Sequence, residues 1–138
     1  MNRSARMFTL ASLAIVAFVI FKAPDGPWTA LQILGLVLMI CGLVGMAIAR
    51  FQLGNSFSVT PQARALVTRG IYSRIRNPVY VFGAILIAGM ILYVNRPRWF
   101  WCFLILIPLQ VVRARAEAKV LKERFGEEYR QYRARTWF

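Results

Sequence analysis

The stretch "RGIYSRIRNPVYVFGAILIAGMILYV", residues 69–94, changes character partway along. Arg69, Arg74 and Arg76 crowd into eight residues, and the sixteen residues after Asn77-Pro78 carry no charge. The residue before a proline avoids the helical region, so Asn77 is expected to be extended, with Pro78 opening a helix. The chain therefore stacks positive charge against the mouth of an apolar helix. Whether that helix belongs to a soluble core or to a bilayer decides the fold.

Composition answers first. The 138 residues are 59% hydrophobic, with mean hydropathy +0.53, yet they hold 18 Lys+Arg against 5 Asp+Glu. A soluble domain is nearer half apolar, with acids and bases in rough balance. Net charge +13 alone would suit nucleic acid, but that needs the bases on a soluble surface, and here they flank long apolar runs. The fold class expected is an all-α integral membrane protein, with membrane lipids and no nucleic acid among its partners.

Four apolar runs stand out, at 7–21, 28–49, 79–94 and 99–112. Only the second has the roughly 20 residues that span a bilayer unaided. The others need snorkelling by Lys22, local thinning, or helix running past the interface. Trp28, Tyr93, Trp99 and Trp101 fall where interfacial aromatics belong. Four membrane helices are expected, the last two a hairpin turned at Asn95-Arg96-Pro97. With four spans, fifteen bases share one side with both termini, against Lys22, Arg96 and Arg98 on the other. The positive-inside rule makes the fifteen, and both termini, cytoplasmic. The expected location is multi-pass in a bacterial inner membrane rather than the endoplasmic reticulum.

Arg3 and Arg6 ahead of the first run fit a signal peptide, but no small-x-small site precedes Pro24, so retention is expected. Cys41 and Cys102 lie inside apolar runs without metal or redox spacing and read as packing residues. The chain has no histidine, which removes most metal sites and the commonest general base. No GxGxxG and no P-loop occur.

Residues 50–78 carry the turn signals Gly54-Asn55-Ser56, Thr60-Pro61 and Gly70. One reading is a solvated basic loop on anionic headgroups, each cation contributing about 1 kcal/mol. The other is an anion site, because a helix amino terminus offers free N–H groups beside Arg74 and Arg76. The fourth helix is expected to continue past the membrane surface. Arg113 and Glu117 share one face of it, either as an exposed pair contributing about 0.3–0.5 kcal/mol or as a site facing the arginine-rich mouth. Phe125, Tyr129 and Tyr132 recur at helical spacing, which suits packing or an interfacial belt more than a site.

Two motifs, in order and with a helical hairpin between them, carry a resemblance. "RALVTRGIYSRIRNPVYVFG" (64–83) and "RARAEAKVLKERFGEEYRQY" (113–132) resemble the carboxyl-terminal signature of the isoprenylcysteine carboxyl methyltransferase family, which belongs with the membrane phospholipid methyltransferases. The match spans about residues 50 to 135; the first two helices match only in being apolar. The resemblance implies a single methyltransferase domain over 1–138, with two membrane helices in 1–49 and a cofactor-binding catalytic core in 50–138. It implies S-adenosyl-L-methionine as cofactor, held on the cytosolic side under a cap made by the carboxyl-terminal helical segment. Cofactor contacts would come from Arg64, Ala65, Leu66 and Val67, from Tyr72, from Asn77, Pro78, Val79 and Tyr80, and from Glu117. Arg76 would help clamp the cofactor's carboxylate. Arg113 would be the catalytic residue, meeting a lipophilic methyl acceptor that enters from the bilayer. Asn77 stands where the family has histidine, and Ala118 where it has the second glutamate of an acidic pair. Asparagine still donates and accepts hydrogen bonds, but any imidazole role is lost.

Three functions follow. The first is methylation of a lipophilic carboxylate such as that of an isoprenylated cysteine, which needs no general base. The second is methylation of a phospholipid amine or another small lipophilic acceptor, for which Glu117 or a tyrosine would take a proton. The third is a non-catalytic membrane scaffold that keeps the fold.

Overall fold

The computed structural model describes residues 26–53 and 66–137, together with positions 10, 11, 14, 15, 17–19, 21 and 22. Three helices organise them: α1, Ala30–Leu53; α2, Pro78–Tyr93; and α3, Phe103–Arg135. Short 3-10 turns at Gly70–Ser73 and Pro97–Cys102 lead into α2 and α3 respectively. No strand occurs among the described residues, only an isolated parallel bridge between Ile75 and Trp137.

α1 starts at a reciprocal cap. The Thr29 N–H donates to Gln32 Oε1 (2.9 Å), and the Gln32 N–H donates to Thr29 Oγ1 (3.3 Å). This is the Ser/Thr-x-x-Glu/Gln box that satisfies two otherwise orphaned donors. α2 starts at Pro78 as the sequence predicts, with proline in the first helical position, where its missing N–H costs nothing. Asn77 is outside the helical region but not extended as expected (φ −122°, ψ 59°).

α1 and α2 pack through glycines. A Cβ on Gly35 would meet the Tyr93 backbone nitrogen at 2.5 Å, and one on Gly89 would meet the Gly35 carbonyl and Met39 nitrogen at 2.7 Å. A Cβ on Gly42 would likewise meet the Leu86 backbone nitrogen at 2.7 Å. Small residues let the two backbones touch, which is how helices gain dispersion energy where lipid offers no hydrophobic drive. Met39, Leu86 and Tyr93 form the core, with Ile15 and Val19 of the first apolar run packed against them. The described positions of that run from 10 to 21 are helical; the rest of it lies outside the described residues.

Tyr93 departs from expectation. It is 1% exposed and donates its hydroxyl to the Val19 carbonyl (2.9 Å), with Trp28 edge-on to its ring at 5.7 Å. It is a core residue whose polar tip is satisfied by the first run, whereas Trp28, Trp99 and Trp101, the other three aromatics expected at the interface, are exposed. Cys41 and Cys102 also depart: both are free and exposed, because each falls on an outward face and not on the glycine seam.

α1, of 24 residues, and the stretch Pro97–Arg135, of 39, are long and apolar enough to cross a membrane. α2, with 16 residues, is shorter. Leu31, Leu34, Val37, Val44 and Ile48 of α1 are exposed, as are Leu104, Ile105, Ile107 and Leu109 of α3. Contiguous apolar surface on that scale is unfavourable in water and favourable in lipid. The fourth apolar run divides: Trp99 and Trp101 lie in the 3-10 turn, and the α-helix begins at Phe103. The turn reverses through Asn95, whose φ of 55° an asparagine tolerates. α3 does continue past the apolar run to Arg135, bending at Gly126 (φ 49°, ψ −114°).

Candidate functional site

The arginine-rich approach to α2 is fixed from both sides. From α1, Gln52 Oε1 accepts the Ile71 N–H at 2.8 Å, and Gly70 adopts φ 62° directly against that side chain. From the tail, the Arg76 N–H donates to the Trp137 carbonyl (2.9 Å), and the Trp137 N–H donates to the Arg74 carbonyl (2.7 Å). The Tyr132 hydroxyl donates to the Tyr72 carbonyl at 2.7 Å. Residues 127–137 thus fold back over the mouth of α2 and are tied to it at three points.

At that mouth the two sequence motifs meet. The Tyr80 hydroxyl, one turn into α2, donates to Glu117 Oε1 on α3. The Arg113 guanidinium, one turn earlier on α3, lies beside the same hydroxyl. Tyr80 therefore bridges the two residues that the sequence pairs only with each other.

Beside this contact lies an open cavity of about 500 Å³. Arg76 and Asn77 form one wall. Val111, Ala114, Arg115, Ala118, Lys119 and Lys122 supply the α3 wall, and Tyr129 and Arg133 close it beyond the Gly126 bend. The volume falls within the usual range for small-molecule sites. Arg115, Lys119 and Lys122 recur at helical spacing and put three cations on the cavity face, next to the face that carries Arg113 and Glu117.

The tyrosines of the tail are held neutral. Burial pushes the Tyr132 hydroxyl up to about 12, against the opposing pull of Arg76. Tyr129 also rises through burial, with Arg76 and Arg133 opposing. Tyr72, outside the membrane-spanning segments like these two, is raised by burial and by its neighbours Tyr132 and Glu117. All three are therefore hydrogen-bond donors near neutral pH.

The structure brings together Arg76, Asn77, Tyr80, Arg113 and Glu117 of the expected residues. Pro78 is buried and Val79 half-buried at the start of α2, and Leu66 and Val67 are half-buried in the segment leading to Gly70. Tyr72 is buried beneath the tail, its carbonyl occupied by Tyr132. Arg64 and Ala65 lie outside the described residues. Of the aromatic stripe, Tyr129 and Tyr132 are buried, their rings 6.3 Å apart, which is the packing role expected. Arg115, Lys119, Lys122 and Arg133 were not singled out by the sequence, although the spacing of the first three was there to be read.

With this geometry in place, comparison with known families adds one finding: a family model described as phospholipid methyltransferase matches residues 29–128. No curated protein matches the chain.

Proposed function

The chain belongs to the phospholipid methyltransferase family, a family of membrane methyltransferases, and from that premise we propose that it transfers a methyl group from S-adenosyl-L-methionine to a lipophilic acceptor at the cytosolic mouth of α2. The observation that carries the reading is the Tyr80–Glu117 hydrogen bond, which joins the two motifs beside a cavity large enough for the cofactor. The whole chain acts as one methyltransferase domain, with four membrane helices and both termini in the cytoplasm.

The residues present fit the cofactor. Arg76, with Asn77 beside it, would take the methionyl carboxylate by charge-assisted hydrogen bonds, and Glu117 would accept from the amine or the ribose hydroxyls. When bound, S-adenosyl-L-methionine supplies an electrophilic methyl on a sulfonium. The protein's share is orientation and exclusion of water. Tyr80 holds the Glu117 carboxylate in one place, and Arg113 orients the acceptor's anionic head. The tail, tied down through Trp137 and Tyr132, covers the site.

The acceptor best suited to these groups is a carboxylate on a lipophilic body, such as an isoprenylated cysteine, that enters laterally from the bilayer. An ionised carboxylate is already a nucleophile, and a chain without histidine has no ready base. A phospholipid headgroup amine is the second reading. It is favoured by the carboxylate of Glu117, which stands with Tyr80 where an ammonium proton could be received.

The test is to incubate the purified protein with methyl-labelled S-adenosyl-L-methionine and a total membrane lipid and protein extract. Base-labile methyl ester on a prenylated species supports the first reading, and label in a headgroup amine supports the second. Absence of any labelled product would make the chain a non-catalytic scaffold of the same fold.

A further inference from the structure

α1 is apolar along most of its length but carries two polar side chains in its last turn, Arg50 and Gln52. Neither is among the residues that hold cofactor or acceptor. Gln52 Oε1 accepts the Ile71 N–H at 2.8 Å, across nineteen positions of sequence. Ile71 is the second residue of the 3-10 turn Gly70–Ser73, and its N–H is one that a capping side chain ordinarily serves. Arg69, at the capping position itself, makes no side-chain hydrogen bond to the turn. Gln52 therefore supplies the cap from another helix.

Gly70 is shaped to this contact. Its φ of 62° is a conformation that L side chains rarely adopt, and a Cβ there would run into the Gln52 carboxamide. From the capped turn the chain reaches the site in three residues. The Ile71 carbonyl accepts the N–H groups of Arg74 (3.2 Å) and Ile75 (3.0 Å), and the next two residues, Arg76 and Asn77, form one wall of the cavity. Tyr72, buried in the same turn, has its hydroxyl within electrostatic reach of Arg50 on α1 and Glu117 on α3. Whatever moves this turn moves residues that the site needs.

We infer that Gln52 is a positioning residue: by capping the Gly70–Ser73 turn from α1, it sets where Arg76 and Asn77 stand against α3. Its consequence for S-adenosyl-L-methionine rests on the cofactor reading proposed above, whereas its structural half rests on the hydrogen bond alone. Losing the acceptor leaves a partly buried N–H unserved, which lowers the population of the seated turn. Only molecules with the turn seated present both residues to the cofactor, so apparent affinity falls with that population. The tail still pins Arg76 through Trp137, which limits the expected loss to roughly tenfold.

The experiment uses the full chain in lipid nanodiscs, with three variants. Gln52→Met keeps length and volume but removes the acceptor, Gln52→Glu keeps an acceptor oxygen, and Gly70→Ala drives the carboxamide away from the other side. Residue-resolved amide exchange is read at Arg74, Ile75 and Arg76, beyond the N–H that Gln52 touches, and S-adenosyl-L-methionine affinity is read by calorimetry. Gln52→Met should accelerate all three amides and weaken the cofactor roughly tenfold, raising its KM while kcat holds. Gln52→Glu should leave exchange and affinity close to the unaltered protein, and Gly70→Ala should reproduce Gln52→Met. Adding Gly70→Ala to Gln52→Ala should cost less than the two effects multiplied, because the new Cβ no longer meets a carboxamide. Acceleration confined to Ile71, unchanged affinity in Gln52→Met, or no rescue by Gln52→Glu overturns the inference. An unaltered protein that binds no S-adenosyl-L-methionine overturns the methyl-transfer reading instead, and the exchange at Arg76 still decides whether Gln52 positions that wall.

Discussion

At the scale of single residues, the site divides between two neighbours one turn apart on α3. Glu117 accepts from Tyr80 and is the acid next to the cavity, while Arg113 lies beside the same hydroxyl. If Glu117 holds the cofactor and Arg113 the acceptor, their substitutions separate. Glu117→Gln keeps shape and the Tyr80 contact but removes charge. It should cost about 1.5–3 kcal/mol of S-adenosyl-L-methionine affinity, roughly ten- to a hundred-and-fifty-fold by calorimetry. Arg113→Ala should leave that affinity nearly intact and lower methyl transfer by a similar factor, with lysine restoring only part because a point charge does not replace the planar fork. Loss of cofactor binding in Arg113→Ala would mean the two roles are reversed.

At the scale of elements, the tail after Gly126 is the piece whose attachment can be read bond by bond. Tyr132→Phe deletes the hydroxyl that donates to the buried Tyr72 carbonyl and leaves that acceptor unserved, a cost of about 1–3 kcal/mol. Amide hydrogen exchange in 127–137 should accelerate accordingly, while the glycine-packed α1–α2 pair keeps its protection. The same hydroxyl gives a pH dependence. Its value in the folded protein, about 12, lies above the ordinary value of 10, so its stabilising contribution is complete below pH 10 and is lost as pH rises toward 12. Tail protection in the unaltered protein should fall across that window, and Tyr132→Phe should flatten the fall. The sequence made the helices legible, because apolar runs, Pro78 and Gly70 act locally. It also placed Glu117 and Arg113 on one face. It could not show that Trp137 returns to Arg74 and Arg76, or that Gly35, Gly42 and Gly89 form one seam, since both depend on which segments meet in space. For the same reason the sequence alone does not set Arg115, Lys119 and Lys122 opposite the mouth of α2.

At the scale of the whole molecule, charge and length together determine how the chain sits in a membrane. α2 has 16 residues, roughly 24 Å of helix against a hydrocarbon core of about 30 Å, so the bilayer must thin or its ends must be anchored. Its ends are anchored asymmetrically. The end at the cavity carries Arg74 and Arg76 clamped by the tail, and the far end has Arg96, Arg98 and the exposed Trp99 and Trp101. With four crossings, fifteen of eighteen bases fall on the side of the cavity, and the positive-inside rule makes that side cytoplasmic. The prediction is made in a background carrying Cys41→Ala and Cys102→Ala, since both native thiols are exposed. A cysteine at Ser73 should resist a membrane-impermeant maleimide applied to intact cells and react only after lysis. One at Arg96 should react in both conditions, and tags on both termini should be reached only after lysis. Equal labelling of Ser73→Cys and Arg96→Cys from outside would mean that α2 does not cross. The basic mouth, the cavity and the acceptor's route from the bilayer would then no longer share a face.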